Sequence, residues 1–88
     1  MRTKDLILQE WMLIFTKIVP ANYLTLSHEI RLEIMRKVNE EWEKFLKKHP
    51  AVSKKETTYF LGVRQVSYYP RKTFLRVVEK AHKKYLNF

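Results

Sequence analysis

The sequence contains no cysteine, one glycine and three prolines among its 88 residues. Without cysteine the chain can form neither disulfides nor thiolate metal sites. The scarcity of glycine and proline argues against a turn-rich all-β fold and favours long helices. With 45% hydrophobic and 31% charged residues, the chain is too apolar for a disordered basic tail. Its length corresponds to a single domain, spanning residues 1–88.

Long hydrophobic runs are also missing. The longest apolar stretch, residues 6–19, is interrupted by Gln9, Glu10 and Lys17, and it is shorter than the roughly 20 residues that cross a bilayer. No small-residue cleavage site follows it, so a signal peptide is not expected. We therefore predict a cytoplasmic protein without membrane contact.

Acidic residues are scarce in the second part of the chain. Residues 51–88 hold nine basic groups and only two acids, Glu56 and Glu79, which gives a charge of +7, whereas residues 1–50 carry +2. A positive electrostatic field that is concentrated in one part of a small domain attracts polyanions. The composition thus divides the chain into a scaffold, residues 1–50, and a basic unit, residues 51–88, which we expect to bind nucleic acid.

Hydrophobic residues recur with a helical period in three segments. A first helix is predicted over residues 4–19, where Trp11 and Phe15 share one face, and it should end at Pro20. A second is predicted from a cap at Thr25 or Ser27 to about Lys48. A third is predicted over residues 71–86, with its apolar and basic residues on opposite sides. We expect the first two helices to pair through their aromatic and aliphatic faces.

Between the second and third of these helices the pattern is less clear. Ser53 and Glu56 form a capping-box pattern, which predicts a short helix over about residues 54–61, and Gly62 suits the left-handed position that closes a helix. Residues 63–69 are rich in valine and tyrosine, which favours a strand, but they alternate poorly. The conformation of this segment is left open.

The segment Ser-Lys-Lys-Glu-Thr-Thr-Tyr-Phe-Leu-Gly-Val-Arg, followed by the rest of residues 53–76, resembles helix-turn-helix DNA-binding proteins. The resemblance implies a capped short helix that ends at Leu61-Gly62-Val63 and is followed by a DNA-reading helix. Pro70 departs from this pattern, because it would break a helix that began soon after Gly62. Two alternatives remain: the reading helix begins at Pro70, or residues 57–69 form a small β-element.

The predicted fold class is therefore all-α, a small helical domain of two long amphipathic helices followed by a C-terminal helix-turn-helix-like unit. A chain this short is stabilised only modestly by one core, so a homodimer is a further expectation.

The candidate nucleic-acid-binding residues are the basic side chains of residues 51–88. Arginine suits bidentate contact with guanine, and lysine mostly meets phosphate. Exposed tyrosines between them could stack on bases or anchor a protein interface. The candidates are Lys54, Lys55, Arg64, Arg71, Lys72, Arg76, Lys80, Lys83 and Lys84, with Tyr68 and Tyr69 as the stacking or interface pair.

No catalytic or cofactor-binding motif accompanies this basic segment. The three histidines are far apart and none has a second ligand at metal spacing. A glycine-rich phosphate loop and a serine-nucleophile elbow are also missing. We therefore expect no enzyme activity, no cofactor and no metal site.

The function that these features favour is a small DNA-binding regulatory or accessory protein, acting for example in transcription. Its small size suggests that a mobile element encodes it. A protein-interaction module that inhibits or adapts a larger partner through the same surface is the first alternative. An RNA-binding protein is the second, because charge alone does not separate RNA from DNA.

Overall fold

The computed structural model describes residues 3–87. Three helices, α1 (Thr3–Ile18), α2 (His28–Lys48) and α3 (Lys72–Leu86), lie close to the predicted bounds and confirm those three predictions. Two strands, β1 (Ser53–Phe60) and β2 (Val63–Pro70), lie between α2 and α3. Single 3₁₀ turns, Tyr23–Thr25 and Pro50–Val52, complete the connections.

The all-α prediction was wrong. Of the described residues, 68% are helical, with the 3₁₀ turns included, and 19% belong to a two-stranded antiparallel sheet. The short helix predicted over residues 54–61 is strand β1, and residues 63–69 belong to β2, so the expected helix-turn-helix-like unit is a β-hairpin. Its register pairs Ser53 with Pro70 and Phe60 with Val63. The alternative β-element over residues 57–69 falls inside this hairpin.

Ser53 explains why the capping-box pattern was misleading. Its buried hydroxyl lies 2.8 Å from the carbonyl oxygen of Leu46 and 3.0 Å from that of His49, and donates to these carbonyls. Because the last carbonyls of a helix lack partners within the helix, Ser53 completes the C-terminus of α2 instead of starting a new helix. The chain leaves this anchor in extended conformation.

A two-residue turn, Leu61-Gly62, joins the strands. Both residues have positive φ, 51° and 78°, as a type I′ turn requires, and this turn matches the twist of the flanking strands. Gly62 adopts such a φ without steric cost. Leu61 does so against the usual preference of a side-chain-bearing residue.

The core is built around Trp11, which is fully buried in α1. Its ring lies 4.6 Å from that of Trp42, edge to face, and 5.3 Å from that of Phe45, so α1 and α2 meet at this indole. Helix α3 covers the pair with Phe74 and Val78, both buried. These contacts bring all three helices into one hydrophobic cluster.

His82 of α3 belongs to this core. The indole N–H of Trp11 donates to its Nε2 at 2.9 Å, and its ring stacks on Phe15 with centroids 3.9 Å apart. Burial lowers the pKa of His82 below its ordinary value of 6.5, against a smaller opposing effect of Glu79. The imidazole therefore serves as a neutral acceptor that joins α3 to α1.

Replacing the Ser53 hydroxyl should destabilise the whole domain. Ser53→Ala leaves the carbonyls of Leu46 and His49 without this donor in a buried position, which costs about 1–3 kcal/mol. Urea unfolding followed by tryptophan fluorescence measures this loss. The control is Ser67→Ala, because Ser67 makes no side-chain hydrogen bond within residues 3–87, and we expect a change of no more than about 0.5 kcal/mol there. Equal effects of the two substitutions would contradict the anchoring role.

The stability of the domain should fall on mild acidification. Because the pKa of His82 is lowered on folding, the unfolded chain takes up the proton first. The free energy of unfolding then decreases as the pH drops below about 6.5, by at most about 1.4 kcal/mol per pH unit for this group, and levels off below the folded-state pKa. Urea titrations between pH 7.5 and 5 measure the slope. His82→Gln keeps an acceptor without a titrating ring, so its profile should be flatter; an unchanged slope would refute the assignment.

Candidate nucleic-acid interface

The outer face of α3 carries a segregated basic surface. Phe74 and Val78 point into the core, and at about 100° per residue Arg76 lies on the opposite side of the helix. The exposed cations around it are Lys72, Lys80, Lys83 and Lys84, and Glu79 is the one acid of this helix. Packing of the inner face therefore fixes which side of α3 is presented to a ligand.

The β-hairpin forms a projecting arm, defined here as residues 53–70. Residues 54–66 are exposed, whereas Ser53 is buried and Ser67, Tyr68 and Pro70 are partly buried. Only the base of the arm therefore meets the helical body. Lys54 and Lys55 pair with residues near that base, while Arg64 is two pairs from the turn, opposite Tyr59.

Arg71 links the arm to α3. It directly follows β2 and precedes the first residue of α3, and its backbone N–H donates to the carbonyl of Val52 at 2.8 Å. A groove of about 230 Å³ lies at this junction, with Arg71 on one side and Lys4 of α1 on the other. Lys4 was not among the predicted site residues, because nothing in its sequence surroundings places it near residue 71.

Three of the nine predicted cations lie on the arm, five lie on α3, and Arg71 lies between the two elements; all nine are exposed. Within residues 3–87 none of them forms an ion pair. The ion pairs lie on α1 and α2 instead, for example Arg36 with Glu33 at 2.9 Å and Lys48 with Glu10 at 2.8 Å. The hydrogen bond from Lys48 is the main cause of a lowered pKa for Glu10. Four of the seven acids of the scaffold, Glu10, Glu33, Glu40 and Glu41, are thus engaged there, and no ion pair of the described residues neutralises a cation of the arm or of α3.

The two predicted tyrosines differ in exposure. Tyr68 is partly buried at the base of the arm, and Tyr69 is exposed. They are adjacent in a strand, so their side chains point to opposite faces of the hairpin, and the structure does not bring them together as a stacking pair.

Four strongly exposed apolar side chains lie at the turn of the arm, and sequence reasoning missed them as a site. They form the arm tip: Tyr59 (72% exposed), Phe60 (63%), Leu61 (87%) and Val63 (60%). The signal for this tip was a Leu-Gly pair between two segments rich in threonine, tyrosine and valine. Leucine is an unusual first residue for such a turn, which is why the signal was weak.

The histidines lie apart. His28 is exposed at the start of α2, the Nε2 of His49 lies 2.5 Å from the Glu10 carboxylate at the end of α2, and His82 is in the core. No cluster of three or more histidine, aspartate or glutamate residues that could hold a metal ion occurs in the described part of the chain. Nor is any helix between residues 3 and 87 long and apolar enough to cross a bilayer.

Comparison with known proteins gives no relative for this chain. No family model matches it, and no curated protein or solved structure is significantly similar. The resemblance of residues 53–76 to helix-turn-helix proteins therefore stays a prediction at the level of sequence, although the fold that it implied is not present.

Proposed function

We propose that this chain is a small non-enzymatic DNA-binding protein with a regulatory or accessory role. The observation that supports the proposal is the concentration of unpaired basic side chains on two consecutive elements. Nine exposed cations without ion pairs in the described structure lie on the arm, on α3 and at Arg71 between them. Glu56 and Glu79 are the only acids of residues 51–88, so a polyanion that contacts both elements meets mainly positive charge.

The shape of α3 favours duplex DNA over duplex RNA. The 15 residues of α3 form a rod of about 22 Å, and the major groove of B-DNA is wide enough for such a helix. The major groove of A-form RNA is too narrow for side chains to read. On this proposal lysines of α3 contact phosphates, and Arg76 and Arg71 are the side chains suited to guanine.

One observation favours a second candidate, a protein-interaction module that inhibits or adapts a larger partner. The apolar arm tip is of the kind that protein interfaces bury. Recovery of one partner from nuclease-treated extract would support this candidate, and recovery that vanishes with nuclease would count against it.

Removing three charges from α3 should weaken DNA binding and its dependence on salt. With Lys72, Arg76 and Lys80 all changed to glutamine, we expect at least a tenfold loss of affinity at about 100 mM salt. The log–log salt slope should become shallower by about 3, because each phosphate contact contributes about 0.9. Fluorescence anisotropy with a labelled random-sequence duplex at several salt concentrations measures both quantities.

The matched control removes three exposed lysines from α1 and α2, with Lys17, Lys37 and Lys47 changed to glutamine. Because this variant has the same net charge as the α3 variant, it separates the loss of direct phosphate contacts from the loss of overall electrostatic attraction to DNA. We expect its slope to stay close to that of the unmodified protein. Equal weakening by both triple variants, or no duplex binding by the unmodified protein at low salt, would overturn the proposed interface.

A further inference from the structure

The arm tip does not pack against the hydrophobic core of the described structure. Its four apolar side chains are 60–87% exposed, and Gly62 in the turn has no atom within 4 Å of where a side chain would begin. A two-stranded ribbon gains little stability in water on its own, and apolar groups held at its end gain nothing from exposure. This placement indicates that the tip is buried in a complex.

The conformation of Leu61 is a separate observation. This residue has a φ of 51°, where asparagine or glycine is preferred and a branched aliphatic side chain is disfavoured. Its side chain is the most exposed of the tip and contributes no packing to the domain. An unfavourable backbone conformation combined with an unused apolar side chain suggests that the side chain serves a ligand.

The arm is long enough to reach into a groove of DNA. Four residue pairs, from Thr57–Val66 to Phe60–Val63, consist of residues exposed in both strands. At about 3.4 Å per residue they extend about 14 Å beyond the body, which exceeds the groove depth of about 8 Å. The tip can therefore meet base pairs while the body remains outside the phosphate backbones.

The charges below the tip match this placement. Below the tip, the arm carries the basic side chains of Lys54, Lys55 and Arg64, and Glu56 is its one acid. This part of the arm is therefore basic where the phosphates line a groove. The arm tip is apolar, and it is the part of the arm that would contact the stacked bases. Arginine is also the side chain favoured by the negative potential of a narrow minor groove.

We infer that the arm tip is a wedge that enters the minor groove of duplex DNA and inserts Leu61, flanked by Phe60 and Val63, at a base-pair step. Insertion of apolar side chains at a step partly unstacks the bases and kinks the duplex by about 20–90°. The inference rests on the proposed DNA-binding function and adds that the bound DNA is bent.

Leu61→Asn tests the wedge without endangering the fold. Asn-Gly is a favourable pair for a type I′ turn, so the variant should keep the hairpin, which circular dichroism and urea unfolding verify. The assay uses a duplex of about 30 base pairs with a donor and an acceptor dye at its ends, plus a second duplex that contains 2-aminopurine. The unmodified protein should raise energy transfer and 2-aminopurine fluorescence. Leu61→Asn should still bind with the same salt slope but lose most of both signals.

The control is Leu32→Gln, which removes an exposed leucine (57%) from α2 and should bend DNA as the unmodified protein does. Salt-dependent binding without any rise in energy transfer, or full bending by Leu61→Asn, would overturn the wedge and leave the DNA-binding function standing. Self-association that is lost in Leu61→Asn, with bending unchanged, would place the tip between two copies and also overturn the wedge. No duplex binding at low salt would instead refute the proposed function itself.

Discussion

The fold depends on the burial of one side chain, the indole of Trp11. It contacts Trp42 and Phe45 of α2 and donates a hydrogen bond to His82 of α3. A domain of 88 residues has room for one small core, so a single aromatic residue that touches all three helices determines how they assemble. The contact with His82 has a further consequence, because it sets the rotation of α3 about its own axis. The basic face can point outward only because the opposite face is held by this core.

The arm depends on a different and smaller set of contacts. Its base is held by the Ser53 hydroxyl, the buried side chain of Val52 and the backbone N–H of Arg71. Residues 54–66, which lie between the base and the turn, are exposed. Only the hydrogen bonds between the two strands and the turn itself hold this part of the arm together. Elements with few buried contacts open at lower free energy than the core. The arm can therefore adjust to a ligand while α3 remains fixed, and the junction at Arg71 keeps the two in register.

The sequence predicted the parts of this structure that bury one side of an element. All three helices could be located because Trp11, Val38 and Val78 belong to stripes with a helical period, and the same period separated the basic face of α3 from its core face. The hairpin could not be derived in this way, because both of its faces are exposed and no alternation of polar and apolar residues results. The Ser53–Glu56 pattern then favoured a helix, although Ser53 completes α2. The candidate cations followed from charge alone, but the arm tip did not, since apolar residues are usually assigned to a core.

The composition of the basic surface bears on how such a protein would select its site. Six of the nine candidate residues are lysines, which act as point charges toward phosphates, and only Arg64, Arg71 and Arg76 offer the planar donors that read bases. Two of these arginines lie on the arm or at its junction. If the ligand is duplex DNA, few base edges are read directly, and discrimination must come mainly from the cost of deforming the duplex. An apolar wedge makes that cost depend on sequence, because pyrimidine–purine steps unstack more easily than others. A small domain with few base-reading side chains would in this way prefer flexible steps, while its lysines bind the phosphates of any sequence.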